Sequence, residues 1–348
     1  MINKKAMFSL LCAVMTVSLC SCNIQNSYSD ERKSEIDLFA MDTYMSLKAY
    51  GENGDKALKK ASDKIRELEK TLSVTDEQSE IFLLNNANGK RTAVSADTAF
   101  LIGRSLEISD DTNGAFDITV YPLSKEWGFT TDRYNVPSQE RLNDLLNSVG
   151  SENVILDNND NSVSLRNGAN IDLGGIAKGY AGKCAAQIIR SEGVVSAVLN
   201  LGGNVQTIGA KPNGSGWIIA IKDPEDDNSS VGTVEVFDKA VVTSGGYERY
   251  FEDENGSRYC HILDPQTGRP ARTDILSATV IGNDGTTCDA LSTALYVMGI
   301  EGACDYLGSD REYEAILVSN DNKLYITGGL TEEFTVSEKY SKYTIVTV

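Results

Sequence analysis

The segment YCHILDPQTGRP, Tyr259 to Pro270, carries the one histidine of this 348-residue chain. His261 is therefore the sole histidine candidate for proton transfer near neutral pH. Asp264, Pro265 and Gly268 around it are the vocabulary of a fixed turn, which holds a side chain at a site rather than in a strand. Asp264 is also a rival base. A second candidate is the pair Asp289 and Thr293, four residues apart in DALSTALYVMG and so on one face of a helix. A carboxylate with a hydroxyl is a hard-oxygen pair, suited to Mg2+ if a backbone carbonyl and ligand phosphates complete the octahedron. A third is Gly174-Gly175 before a helix, bracketed by Asp172 and Lys178. There, free amides and the helix dipole can receive phosphate. It is neither a P-loop nor the GxGxxG fingerprint. Taken singly, each candidate competes with a plainer reading: a histidine in a surface turn, Asp289 as a helix cap beside a packed Thr293, and an ordinary strand-to-helix turn.

The elements that must position these groups are legible in outline. Phe39, Met41, Thr43, Met45, Leu47 and Ala49 alternate as in one half-buried strand, and Ala57, Ala61, Ile65, Leu68 and Leu72 recur at helical spacing. Ser95 opens a helix toward Asp110 that stops before Gly114. GAFDITVYPL and Trp127-Gly128-Phe129 suggest an ordered loop near a site, or a buried turn. Ser138 to Val149 reads as a capped helix ending at Gly150. Val154 to Leu156 and Val163 to Leu165 read as a hairpin. A helix follows the double glycine to about Gly193. Strands then dominate from Ala197 to the histidine turn, followed by a strand at Leu276–Ile281, a helix at Asp289–Gly299, two short strands and a C-terminal tail. This mixed order favours α+β over a doubly wound sheet.

Lys4 and Lys5 precede an apolar run from Ala6 to Leu19, too short to span a bilayer comfortably and placed where a secretory signal belongs. It ends in Leu19-Cys20-Ser21-Cys22, which resembles a bacterial lipoprotein box; plain signal-peptidase cleavage is the alternative. Residues 1–22 would then be a signal peptide, Cys22 a lipid anchor and residues 23–36 a polar tether. The chain has 50 acidic and 32 basic residues, a formal charge of −18. That excludes nucleic acid and an anionic membrane surface as partners, and a phosphate ligand would need a cation or backbone amides to offset the field. Cys184, Cys260, Cys288 and Cys304 lack CxxC spacing and, with one His, make no zinc set. Disulfides and buried free thiols both remain open.

The motifs GAFDITVYPL with WGF, DLGGIAKGYA, LNLGGN, TSGGYERYF with HILDPQTGRPA, and CDALSTALYVMG, in that order, resemble the ApbE family of FAD:protein FMN transferases over about residues 37–330. The resemblance implies a T-fold-related, two-lobed single catalytic domain over residues 37–348, with mixed sheets and packed helices. It also implies transfer of FMN from FAD to a threonine hydroxyl of a target protein, with release of AMP. By the same resemblance His261 is the base or its orienter, and Met41, Ala115-Phe116-Asp117, Asp172, Lys178 and Leu263 contact FAD. Asp289, Thr293 and the backbone oxygen of Gly175 are the Mg2+ ligands. The place would be the bacterial cell envelope, at the outer face of the cytoplasmic membrane. Met41-Asp42-Thr43 stands where the family often has Met-Gly-Thr, Thr75 lies near where an aromatic is common, and Cys260 replaces a second histidine. A flavin-binding lipoprotein without activity, and a hydrolase splitting FAD to FMN and AMP, are the competing classes.

Overall fold

The computed structural model describes residues 32–131, 133–308 and 312–348. The signal segment, Cys22 and the tether up to residue 31 lie outside them. The order begins β1 (Lys33–Ala40), β2 (Thr43–Tyr50), α1 (Gly54–Leu72), α2 (Glu80–Asn85), β3 (Thr92–Ala93), α3 (Ala96–Asp111), α4 (Tyr121–Trp127), α5 (Gln139–Leu146), β4 (Val154–Asp157), β5 (Ser162–Leu165) and α6 (Gly174–Ser191). It continues with β6 (Ser196–Leu201), β7 (Asn204–Ile208), β8 (Trp217–Asp223), β9 (Asp226–Val236), β10 (Ala240–Gly245), β11 (Tyr250–Glu252), β12 (Arg258–Cys260) and β13 (Ile275–Gly282). The last elements are α7 (Gly285–Leu307), β14 (Glu314–Ser319), β15 (Lys323–Ile326), β16 (Phe334–Val336) and β17 (Thr344–Thr347).

One nine-stranded sheet, in the order β1-β2-β6-β7-β10-β13-β14-β15-β17, forms the middle layer. Its inner strands are buried on both faces, which is why they read as apolar runs rather than clean alternation. Val242, Ala278, Val280 and Leu317 point into a core shared with α1, α6 and α7. Their neighbours Val241, Ile281, Ile316 and Val318 point the other way, against Trp217, Val234 and Phe334 of the small sheet β16-β9-β8. The α+β expectation holds, and its two lobes are two cores on opposite faces of one sheet. A third cluster, Leu123, Trp127, Phe129, Leu142 and Leu263, packs α4 and α5 against the histidine turn.

Local rules account for most boundaries. The α1 stripe Ala57, Ala61, Ile65, Leu68 and Leu72 is buried as its spacing predicts. Ser95 caps α3 through Thr98 N at 3.3 Å, and Ser138 caps α5 through Arg141 N at 3.2 Å. The α5 helix stops at Leu146 rather than Val149.

Four expectations are corrected. The single strand through Phe39–Ala49 is a hairpin that turns at Met41 (φ 50°) and Asp42 (φ 58°), so parity flips: Leu38 and Ala40 are buried and Phe39 is exposed. Positive φ at both positions is the type I′ form of the two-residue hairpin loop. Asp tolerates such φ values because its short side chain can hydrogen-bond locally, and glycine tolerates them best. Residues 33–36, expected to belong to a polar tether, are part of β1, which begins at Lys33. The Asp289–Gly299 helix starts earlier, at Gly285 behind the Asp284 cap, and resumes beyond a break at Gly299 (φ 73°) because Asp274 Oδ1 accepts from Ile300 N at 2.8 Å. The C-terminal tail is structured, with β17 joining β15 in parallel.

Asp223 secures this end. Its side chain is fully buried, with Lys339 Nζ at 2.5 Å, Tyr340 Oη donating at 2.8 Å, and Ser229 Oγ and Glu225 N also donating to it. Burial alone would raise this carboxyl, but these partners outweigh it and hold it down at about 2. The stabilisation is therefore complete above the unfolded value near 3.8 and is lost as pH falls through about 2. Asp223→Asn is expected to cost about 1–3 kcal/mol, chiefly by weakening the hydrogen bonds from Ser229, Tyr340 and the Glu225 amide, since Lys339 stays in reach of water, and to flatten the acid limb of stability. Urea unfolding of both proteins between pH 2 and pH 6 measures each effect.

Candidate active site

The hairpin registers gather the candidate groups at one end of the central sheet. Met45 faces Leu201, Asn200 faces Val205 and Asn204 faces Val242. The Met41 turn, the Gly202-Gly203 turn and the Ser244-Gly245 end of β10 therefore lie side by side, and the chain runs from there into β11, β12 and His261.

His261 is half-buried and doubly tied to one residue. Its backbone amide and its ring Nδ1 both lie 3.0 Å from the Arg249 carbonyl. A carbonyl only accepts, so Nδ1 carries the proton and Nε2 keeps a free lone pair. Desolvation pushes the imidazole down to about 4, with Lys178 and Arg249 adding repulsion against a second proton. The turn behind it is anchored by Trp127, whose indole donates to the Gly268 carbonyl at 2.8 Å, and by the Arg249 guanidinium on the Phe129 carbonyl. The WGF segment thus ends helix α4 and braces the histidine. The rival base Asp264 is engaged in its own turn, accepting from Gln266 N at 2.8 Å and Thr267 Oγ1 at 2.9 Å.

Gly174 and Gly175 are the first two residues of α6 rather than a turn before it. Asp172 Oδ1 accepts from Gly174 N at 2.8 Å, and desolvation raises its carboxyl against the pull of that amide, Arg249 and Lys178. Lys178, one turn on, has no ion-pair or hydrogen-bond partner among the described residues, so its charge is left for a ligand. At Gly179 the two long helices touch: a Cβ there would sit 2.1 Å from the Gly285 carbonyl oxygen and 2.7 Å from Asp289 Cβ. The Gly179 amide donates to Asp289 Oδ2 at 2.8 Å. In a regular helix that amide belongs to the Gly175 carbonyl, so sharing it leaves the Gly175 oxygen with spare lone-pair capacity.

Asp289 does not cap α7; Asp284 does, accepting from Thr287 N at 3.0 Å. Asp289 is buried instead, and desolvation raises its carboxyl, opposed by Lys178, the Gly179 amide and Asn204. A Cβ on Gly175 would meet Phe116 at 3.0 Å and Thr293 Oγ1 at 4.0 Å, so Gly175, Thr293 and Phe116 converge. Ser244 Oγ lies 3.3 Å from Thr293 Oγ1 and 2.7 Å from Ser292 Oγ. A buried carboxylate without a cationic hydrogen-bond partner among the described residues, with a hydroxyl one helical turn on and a Gly175 carbonyl with spare lone-pair capacity, fits a small hard cation.

The other expected contacts divide. Met41 sits at this end of the sheet, its amide held by Glu69 Oε1 at 2.7 Å. Ala115 and Phe116 follow α3, with Phe116 N on Thr112 Oγ1 at 3.3 Å. The Asp117 carboxylate turns back on itself, taking Thr119 N at 2.7 Å and Thr119 Oγ1 at 2.6 Å, and burial raises it. Leu263 buries its side chain in the aromatic cluster and bridges Pro270 through its backbone. For Asp117 and Leu263, ligand contact would fall to the main chain. Cys184, Cys260, Cys288 and Cys304 are free thiols; Cys260 is buried and donates weakly to the Ile262 carbonyl at 3.5 Å.

A protein-family model described as the ApbE family matches residues 41–317. The chain belongs to the ApbE family. It is 33% identical over 303 residues to the FAD:protein FMN transferase of Klebsiella pneumoniae (strain 342), covering 86% of this chain and 93% of that relative. The crystal structure of the ApbE protein from Thermotoga maritima superposes with a TM-score of 0.78 at 34% identity, covering 90% of this chain and 99% of the other. The flavin transferase ApbE from Vibrio cholerae gives a TM-score of 0.76 at 27% identity, with 90% and 100% covered.

Within this ApbE family site, four groups were not singled out from the sequence: Arg249, Ser244, Asn204 and Gly179. The first two lie in the TSGGYERYF motif and the others in LNLGGN and DLGGIAKGYA, yet their roles depend on contacts 12 to 110 residues away, which no local spacing encodes.

With one histidine in the chain, imidazole NMR gives a single titration curve. Its midpoint is expected near 4, against 6.5 for an unperturbed ring. Gly179→Ala is expected to destabilise the fold by about 1–3 kcal/mol, read by chemical denaturation, because the new methyl meets backbone rather than a movable side chain.

Proposed function

We propose that this ApbE family protein moves FMN from FAD to a threonine hydroxyl of a target protein, releasing AMP, with Mg2+ as its cation and a lipid on Cys22 holding it at the outer face of the cytoplasmic membrane. The observation that carries the reading is the convergence of His261 Nε2, Lys178 and the Asp289–Thr293–Gly175 oxygens at one end of the sheet, in a chain similar to named FAD:protein FMN transferases. The lipobox and the polar segment after it support the anchor.

His261 accepts the hydroxyl proton at Nε2 as the threonine oxygen bonds to the FMN phosphorus, and the bond from that phosphorus to the AMP phosphate oxygen breaks. A ring held neutral is ready to do this at ordinary pH, and a positioned base contributes about 10²–10⁴-fold. Lys178 and the amides at the start of α6 offset the charge of the pyrophosphate. Asp289, Thr293 and the Gly175 carbonyl would hold Mg2+, which supplies further neutralisation of the phosphate oxygens when bound. In a chain of net charge −18 that neutralisation has to be local.

The test is incubation with FAD, Mg2+ and candidate target domains, read by flavin fluorescence on the denatured target. Covalent flavin is expected. Free FMN with AMP would assign a hydrolase, and intact FAD a binding protein. His261→Ala is expected to slow transfer by about 10²–10⁴-fold with FAD affinity little changed. Asp289→Asn should abolish transfer while the protein still melts cooperatively, and chelation of wild type should do the same until Mg2+ is restored.

A further inference from the structure

We propose that the flavin-accepting segment of the target protein docks in extended form along the free edge of β12, delivering its threonine to His261 from the Cys260 side. The proposal rests on the transferase reading above and adds where and how the protein substrate binds.

The β11–β12 hairpin has one paired and one unpaired edge. His261 N donates to Arg249 O, and Asp253 N to Ser257 O, while Phe251 faces Tyr259. In an antiparallel pair the exchanging residues alternate, so the amides and carbonyls of Arg258 and Cys260 point away from β11. None of these four groups has a hydrogen-bond partner among the described residues. They face a cavity of about 730 Å³ whose walls are Ser257–Cys260 on one side and Arg269–Thr273 on the other. Arg258, Tyr259 and Cys260 all line it, although consecutive strand residues point to opposite faces, because the cavity meets the strand edge-on. Tyr247, whose hydroxyl is buried, lines it as well.

An unpaired edge beside a cleft is the geometry that accepts an added strand, with affinity from main-chain bonds and selectivity from side-chain pockets. Position favours a substrate segment over any other occupant. The cavity lining ends at Cys260, the residue before His261, so a segment paired to this edge has to run on by one strand position, about 3.4 Å, to bring its threonine to the base. The charge pattern selects its chemistry. Among the described residues Arg269 bonds only the neutral Gln139, at 2.7 Å, and Arg272 is exposed with no hydrogen-bond or ion-pair partner. Two unneutralised guanidiniums in so acidic a chain suit a segment with carboxylates next to its threonine. Glu225 and Asp226, with Asp227 paired to Lys222, also line the cavity and disfavour carboxylates beside them.

The experiment uses the full chain, FAD and Mg2+ with synthetic dodecapeptides that carry one central threonine flanked by Asp, Asn or Lys, read by flavin fluorescence on the separated peptides. Asp-flanked peptides are expected to be preferred. Arg272→Glu should raise their KM about tenfold and shift preference toward Lys-flanked peptides, with the KM for FAD unchanged. N-methylation of the backbone beside the threonine should lower modification about tenfold, because it blocks pairing to the edge. Equal use of all peptides, insensitivity to N-methylation, or an effect of Arg272→Glu on FAD rather than on peptide overturns the docking site. So does a protein that binds FAD, by quenching of its fluorescence, yet modifies no peptide. A wild-type protein that does not bind FAD removes the transferase reading itself, and this proposal with it.

Discussion

A carboxylate buried between two helices is the constraint on which the rest of this site depends. Asp289 is taken out of water where α6 and α7 touch, a placement that costs several kcal/mol unless the charge is compensated. The protein offers one helix amide, from Gly179, the side-chain amide of Asn204 and the distant charge of Lys178, and burial still outweighs them. The remaining demand is a standing call for a cation. Gly179 has no side chain because α7 occupies the space a Cβ would need, and the same contact loosens the hold of the helix on the Gly175 carbonyl. Helix packing, electrostatics and ligand chemistry therefore meet in a single glycine.

The histidine is governed by a different choice of partner. Many catalytic imidazoles lean on a carboxylate, which favours the charged ring and raises its pKa. Here the partner is the Arg249 carbonyl, which fixes the tautomer with little bias toward a charged ring, while burial, Lys178 and the Arg249 guanidinium keep the second proton off. The result is a ring that stays neutral and keeps Nε2 open. Its position is held by an aromatic layer: Trp127 stacks near Tyr259 with ring centres 5.3 Å apart, and Phe129 meets the imidazole edge-on at 6.5 Å. Rigid rings lose little entropy on ordering and hold the turn through the Trp127–Gly268 hydrogen bond.

The central sheet sets both groups in place by being buried on both faces. Side chains alternate along β10 and β13 between the helical core and the small sheet, so a slip of one residue would exchange the two cores. That penalty fixes the register, and the register brings the Met41, Gly202 and Ser244 turns to the same end.

The sequence by itself determined much of this. Periods of 3.6 and 2 located α1, α3 and most strands, capping serines marked helix starts, and a single histidine with a spaced Asp and Thr named the chemical groups. These are local signals, carried by residues a few positions apart. Tertiary structure decided what depends on distant pairs. The turn at Met41-Asp42 was hidden because alternation continued in sequence across a reversal of the chain. The last strand was hidden because β17 gains its place only by pairing with β15. Asp289 as a buried carboxylate rather than a cap, Gly179 as the point of helix contact and the Arg249 carbonyl as the partner of His261 all require segments that meet only once the sheet has formed, and no spacing along the chain records them.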